Sequence, residues 1–245
     1  MSELDIAINA AVKTVDLIRK NYIQNAGIIS QKGKDIKTKA DFAANDVLIR
    51  ELNKTGIKIV SEESCSSDFS FKECQWIIDP IDGTLNFSRG YKEASVSISL
   101  WNEGRPLLGV INQIFDDNLF TSLSGKGAWL NGEKINVSAV SIKNKAIIAT
   151  VFPSGAVLSD DLINKHVSYA KKFKKVRMIG CASLMLAYVA SGVFDIYEED
   201  NIYIWDVAAG LSLVYEAGGC YNITPGSTEI QFNISAGNKL LIKQN

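Results

Sequence analysis

Residues 76–87 read Trp-Ile-Ile-Asp-Pro-Ile-Asp-Gly-Thr-Leu-Asn-Phe, an apolar run that ends abruptly in two carboxylates, a glycine and a threonine. Trp76, Ile77 and Ile78 have the character of a short buried strand, and Pro80, which lacks an N–H, is expected to stop the ladder at Asp79. Asp79 then stands at a strand's carboxyl end. Gly83 lets the backbone approach a ligand closely, and the amides of Gly83 and Thr84 open the next element as donors suited to an anion. The arrangement suits a metal held by carboxylates beneath a bound phosphate. Asp-Pro-x-Asp-Gly is also ordinary turn chemistry, so the segment needs partners elsewhere in the chain to count as a site.

Those partners are present. A second strand-like run, 57–61, delivers Glu62 and Glu63 where it stops, and Trp205-Asp206-Val207-Ala208-Ala209-Gly210 sets a further carboxylate at the start of an apolar helical pattern. Glu62, Asp79, Asp82 and Asp206 would repel one another and any phosphate unless divalent cations intervened. A donor set of oxygens, with no histidine or thiol, favours Mg²⁺ over Zn²⁺.

Composition narrows the class. With 245 residues and 47% hydrophobic content the chain can bury a substantial core, as one large domain or two lobes. Its net charge of -1 offers no basic footprint, which speaks against nucleic acid as the primary partner. The acidic start Met-Ser-Glu-Leu-Asp is unlike a signal peptide, and no apolar run reaches the roughly 20 residues that span a bilayer. A cytoplasmic location without membrane attachment is therefore expected. Cys65, Cys74, Cys181 and Cys220 form no Cys-x-x-Cys pair and are expected to be reduced. His166, the single histidine, falls in a polar amphipathic stretch and reads as a solvated helix position.

Apolar residues at helical spacing from Leu4 to Tyr22, with a Ser2/Asp5 capping-box variant, predict a first helix, and a second is expected over about 38–52, after a polar stretch at 31–39. Alternating segments over 94–137 predict an antiparallel sheet, with turns at Asn102-Glu103-Gly104 and Asp116-Asp117-Asn118 and around Gly125, Gly127 and Gly132. Beyond Lys145 strands at 147–151, 193–198 and 219–223 alternate with helices at about 161–173, 182–191 and 206–217. The pattern implies an α+β lobe over 1–140 that carries most of the candidate metal ligands. An α/β lobe over 141–245 completes one catalytic unit, with the acidic motifs at the seam.

Taken together, Asp35-Ile36-Lys37-Thr38-Lys39-Ala40-Asp41, Ser61-Glu62-Glu63-Ser64, the 79–87 segment, Gly180-Cys181-Ala182-Ser183 and Trp205-Asp206-Val207-Ala208-Ala209-Gly210 resemble, in order and over nearly the whole chain, the inositol monophosphatase family. These are magnesium-dependent, lithium-sensitive phosphatases that also include fructose-1,6-bisphosphatases and bisphosphate nucleotidases. The resemblance implies an α+β fold, a layered αβαβα sandwich with mixed sheets, and often a homodimer. It places one Mg²⁺ on Glu62, Asp79 and the Ile81 carbonyl and a second on Asp79, Asp82 and Asp206. It also pairs Thr84 with Asp41 to activate a water nucleophile. Asp41 has a second possible role, because Thr38-Lys39-Ala40-Asp41 is itself a capping-box variant.

The alcohol portion of the substrate is less well specified. Leu85-Asn86-Phe87 looks like the inositol branch, whereas Ser61 stands where that branch commonly has glycine. The resemblance implies backbone contacts from Gly83, Thr84 and Ala182. It also implies a hydroxyl-binding glutamate a short loop before Trp205, for which Glu198 and Glu199 both qualify unless they form only a solvated acidic turn. The implied partner is a small phosphorylated metabolite, with myo-inositol 1-phosphate first. Histidinol phosphate, fructose 1,6-bisphosphate, 3′-phosphoadenosine 5′-phosphate and a non-catalytic regulatory module are the alternatives.

Overall fold

The computed structural model describes residues 2–32, 35–64, 69–152 and 159–242, which leaves Cys65 outside the described residues. Helices and sheets alternate in five layers. The outer layer holds α1 (Glu3–Asn21) and α2 (Lys39–Leu52). Helix α1 opens with reciprocal bonds in which the Ser2 amide donates to Asp5 Oδ2 at 3.0 Å and the Asp5 amide donates to Ser2 Oγ at 3.2 Å. Between the two helices the polar stretch forms a hairpin of β1 (Ile28–Lys32) and β2 (Asp35–Thr38), which no alternating apolar face announces in the sequence.

Both helices cover one face of a seven-stranded sheet, in spatial order β3 (Lys58–Ser61), β4 (Gln75–Asp82), β5 (Ser95–Asn102), β6 (Arg105–Gln113), β7 (Leu119–Leu123), β8 (Gly127–Leu130) and β9 (Glu133–Ile135). Strands β3 and β4 are parallel, and the rest is the expected antiparallel meander. The expected stop at Asp79 is corrected: β4 continues through Pro80 to Asp82. Its register with β5 shifts between Asp79 and Asp82. This bulge absorbs the missing N–H of Pro80 and turns the Ile81 amide onto Asp79 Oδ1 at 3.0 Å. A short helix, α3 (Thr84–Ser88), follows.

Alternation along β5 does not mark a half-exposed strand. Every residue from Ser95 to Trp101 is buried, because the serine side of the sheet meets helices rather than water. Ser95 lies 2.7 Å from Ser183 Oγ, and Ser122 of β7 lies 2.8 Å from Ser212 Oγ. Small hydroxyl side chains thus let the middle helical layer sit close. That layer is α5 (Ala182–Ala190) and α6 (Ile204–Glu216), both apolar nearly all round since each is clamped between two sheets. A Cβ at Gly210 would overlap Leu186, so glycine sets the approach of α6 to α5.

The second sheet has the order β11 (Lys175–Arg177), β10 (Ile147–Thr150), β12 (Ile196–Tyr203), β14 (Gln231–Gly237) and β13 (Cys220–Pro225). Strands β11, β10 and β12 are mutually parallel, and β14 is antiparallel to both of its neighbours. On its outer face Ile148, Phe173, Ile196, Leu241 and Ile242 pack beneath α4 (Asp160–Ala170) and α7 (Lys239–Ile242). Strand β12 runs five residues beyond the expected 193–198 segment, so Glu198 and Glu199 lie in a strand and not in a solvated acidic turn, the alternative reading of the pair. The described cysteines Cys74, Cys181 and Cys220 are unpaired. Among the described residues no helix is long and apolar enough to cross a membrane.

Candidate active site

Parallel pairing explains how the site begins. Ser61 of β3 lies opposite Ile78 of β4, so the next residues, Glu62 and Asp79, leave adjacent strands side by side at their carboxyl ends. Asp206 enters from the first turn of α6, which packs across β4. One carboxylate oxygen from each of these three side chains lies within 4.8 Å of the others. Burial, followed by repulsion from Glu62, Asp82 and Asp206, holds Asp79 well above the ordinary carboxylate range. Asp206 is raised in the same way, by burial and then by Asp82, Glu62 and Glu199. Glu62 is pushed up to about 7, chiefly by burial.

Such crowding is unfavourable unless a cation neutralises it. The donors are oxygens, matching a hard divalent ion. Ser97, which faces Asp79 across the β4–β5 ladder, has a buried Oγ with no hydrogen-bond partner among the described residues. The residues present therefore fit Mg²⁺.

Asp82 borders this cluster. Its Oδ2 accepts from the Ser183 amide at 2.6 Å, from Ser183 Oγ at 2.5 Å and from Cys181 Sγ at 3.1 Å, so the start of α5 aims the carboxylate. Burial still raises Asp82 above its ordinary value, although these donors and the Ala182 backbone oppose the rise. Ala182 is thereby placed beside Asp82, as the first residue of α5.

Thr84 and Asp41, some 43 positions apart in the chain, meet here: Thr84 Oγ1 lies 3.2 Å from Asp41 Oδ1 and 2.9 Å from the Ile81 carbonyl. The other oxygen of Asp41 accepts from the Thr38 amide at 2.8 Å and from Thr38 Oγ1 at 2.5 Å. Cap and site thus use different oxygens of one carboxylate. Burial raises Asp41, while the Thr38 and Thr84 hydrogen bonds pull it down. Gly83 adopts a left-handed φ of 84°, and a Cβ there would lie 2.8 Å from the Glu93 carbonyl.

Strand geometry separates the two candidate glutamates. Glu198 accepts from Tyr169 Oη at 3.0 Å and Ser235 Oγ at 3.2 Å, on the α4 side of the sheet. Glu199 accepts from Tyr197 Oη at 2.6 Å and is pushed up to about 7, first by burial and then by the nearby Asp82 and Asp200. Glu199 is therefore the one that borders the carboxylate cluster.

Several residues of the quoted motifs support the site in ways that motif reading does not show, and Asn45 joins them from outside the motifs. The Asn86 amide donates to the Glu93 carbonyl at 2.8 Å and the Ile179 carbonyl at 2.7 Å, tying α3 to the segment that leads into α5. Ser61 Oγ donates to Asn45 Oδ1 at 2.6 Å and accepts from the Glu63 amide at 3.3 Å, which fixes the turn that carries Glu62. Lys37 pairs with the buried Glu63 at 2.8 Å. Asn86 and Ser61 looked like substrate clues in the sequence, and their observed contacts position backbone.

This geometry has known counterparts. The chain is 35% identical over 241 residues to inositol monophosphatase 3 of Solanum lycopersicum, covering 95% of this chain and 89% of the relative. It is 36% identical over 250 residues to the Nus factor SuhB of Escherichia coli, covering 98% and 92%. Among solved structures, an IMPase of Thermotoga maritima superposes with a TM-score of 0.84 at 30% identity, over 100% of this chain and 95% of that one. The extragenic suppressor protein SuhB of Bartonella henselae also gives 0.84, at 34% identity over 98% and 95%. With the inositol monophosphatase family profile matching residues 1–243, the site and the five layers lie within a single family match, and the chain belongs to the inositol monophosphatase family.

Proposed function

We propose that the protein is a Mg²⁺-dependent phosphomonoesterase that hydrolyses a small polyol or sugar phosphate, myo-inositol 1-phosphate being the first candidate. The observation that carries this reading is the convergence of Glu62, Asp79 and Asp206 on one point, together with the contact between Thr84 and Asp41. Glu62, Asp79 and the Ile81 carbonyl would hold one ion; Asp79, Asp82 and Asp206 would hold the second. Bound there, the ions would neutralise phosphoryl oxygens and acidify an attacking water.

The chain's own groups account for the rest. Thr84 Oγ1 accepts a proton from the water as it passes its own to Asp41 Oδ1, so the proton ends on a carboxylate that burial already favours in its neutral form. The backbone at Gly83, Thr84 and Ala182 lines the approach, and Glu199 receives a hydroxyl of the alcohol. The regulatory-module reading is favoured by one observation, the name Nus factor carried by the Escherichia coli relative. Against it stands the complete carboxylate set, whose mutual repulsion has no use without an ion.

The test is Mg²⁺-dependent phosphate release from inositol phosphates, fructose 1,6-bisphosphate, histidinol phosphate and 3′-phosphoadenosine 5′-phosphate, with Asp206→Asn as the contamination control. Release from one monophosphate that vanishes in the variant is the expected result. A folded, Mg²⁺-binding protein that leaves every ester intact would turn the balance toward the regulatory reading.

A further inference from the structure

Cys181 is the N-cap residue of α5, a position usually held by a side chain with an oxygen acceptor. Here the acceptor comes from another element. Asp82, at the end of β4, takes the Ser183 amide on its Oδ2 at 2.6 Å, and the Cys181 thiol donates to the same oxygen at 3.1 Å. The Ser183 hydroxyl is the third donor, at 2.5 Å. A serine at 181 could turn its own oxygen onto the first amides of the helix, whereas a thiol is a weak acceptor and leaves them to Asp82.

The direction of these bonds is fixed. Ser183 has a single hydroxyl proton and gives it to Asp82, so Ser95, opposite Asp82 on β5 and 2.7 Å from Ser183 Oγ, donates to Ser183. Ser95, Cys181 and Ser183 are all buried, and α5 itself is packed into the core between the two sheets. Asn86 adds a bond to the Gly180 carbonyl at 3.2 Å, which steadies the residue before the cap.

Three donors fill the lone pairs of one carboxylate oxygen, and none of the three is bonded to Oδ1. A carboxylate pinned in this way cannot swing about its Cβ–Cγ bond, and it has one oxygen left to offer a cation. The choice of ion depends on that number. Mg²⁺ demands near-octahedral geometry at about 2.0–2.1 Å, whereas Ca²⁺ takes about six to eight oxygens and accepts both from one carboxylate.

We infer that Cys181 and Ser183 are positioning residues that hold Asp82 as a one-oxygen ligand, and that this tether selects Mg²⁺ against Ca²⁺ at the ion site Asp82 serves. The inference rests on the ion assignment proposed above, and it gives the Gly180-Cys181-Ala182-Ser183 segment a task besides contact with substrate.

The experiment measures the Kd of Mg²⁺ and of Ca²⁺ by calorimetry on the metal-free protein, without substrate, in wild type, Cys181→Ala, Ser183→Ala and the double variant. Asp82→Asn identifies the binding event that depends on Asp82. Ser122→Ala breaks the comparable buried hydroxyl pair with Ser212 and reports what losing such a bond does by itself. Ser183→Ala should raise the Mg²⁺ Kd about tenfold, the low end of the effect of losing an outer partner of a metal ligand. The Ca²⁺ Kd should change by less than about threefold, because the released carboxylate can offer that ion both oxygens. Cys181→Ala should act in the same direction but less, since a thiol is a weak donor, and the double variant should show the largest change. Ser122→Ala should lower the melting temperature and leave the ratio of the two Kd values unmoved. If Asp82→Asn loses an ion while Ser183→Ala and the double variant keep the wild-type ratio, the tether inference fails and the ion assignment stands. Equal weakening of both ions would also overturn the selectivity, leaving the tether a purely structural role. If Asp82→Asn binds both ions as wild type does, the ion assignment falls and the inference with it. Melting curves verify folding, and the single variants decide the matter should the double variant not fold.

Discussion

Two regions of the molecule are built on different principles. At the carboxylate cluster, Glu62, Asp79 and Asp206 come from three elements, are packed close enough to repel, and are held by backbone pairing and by α6. Beside α4, where it faces β10 and β12, polar groups of mixed character surround a cavity, and His166 Nε2 has no hydrogen-bond partner among the described residues. The first region crowds like charges together, and the second sets unlike polar groups around a cavity. A phosphoryl group demands the same charge arrangement whatever alcohol carries it, so the first end tolerates little change.

The strongest way to break this contrast is Asp206→Asn. It should lower phosphate release by at least about a hundredfold, beyond the usual effect of losing an outer partner of a metal ligand. Folding should survive, because removing a buried charge relieves repulsion at Asp79. Undiminished turnover in a purified variant would refute the metal assignment.

Millimolar Mg²⁺ should next raise the melting temperature. An ion at 100 times its Kd adds about 2.7 kcal/mol, or about 5–10 °C for a chain of this size. A flat response in differential scanning fluorimetry, with and without phosphate, would remove the strained end of the comparison.

The pH dependence sharpens the point. Glu62 in the folded protein lies at about 7, above its ordinary 4.5, so between those values the folded state binds more protons than the unfolded one. Stability of the metal-free protein is then greatest below about 4.5 as far as this group is concerned, and it falls as pH rises toward about 7. Melting in EDTA should show the decline, and saturating Mg²⁺ should flatten or reverse it.

The smallest effect concerns the other end. Glu198→Gln should leave Mg²⁺-induced stabilisation intact, because Glu198 bonds Tyr169 and Ser235 on the α4 side of the sheet. A variant that also lost the Mg²⁺ response in calorimetry would show that the two ends are not separable.

Legibility in the sequence followed the same division. Strand ends that terminate in carboxylates were readable because apolar runs and acidic stops are local signals, and the cap at Thr38 was readable for the same reason. The bulge at Pro80 was not, since it depends on β5 to take up the register shift. Nor was the continuation of β12 from Glu199 to Tyr203, where pairing with β14 overrides an acidic, turn-like composition. His166 is the clearest case. Its helix was predicted correctly, but the burial of Nε2 arises from Phe152 and the neighbouring sheet, which no period in the sequence encodes.

The double use of Asp41 bears on how sister proteins are to be interpreted. One oxygen secures a helix and the other meets Thr84, so a descendant that abandoned hydrolysis would still keep the aspartate to stay folded. Its presence in such a protein is silent about activity. Asp79 and Asp206 are the informative witnesses: left without a cation they weaken the fold, and a lineage freed from binding one would gain by discarding them.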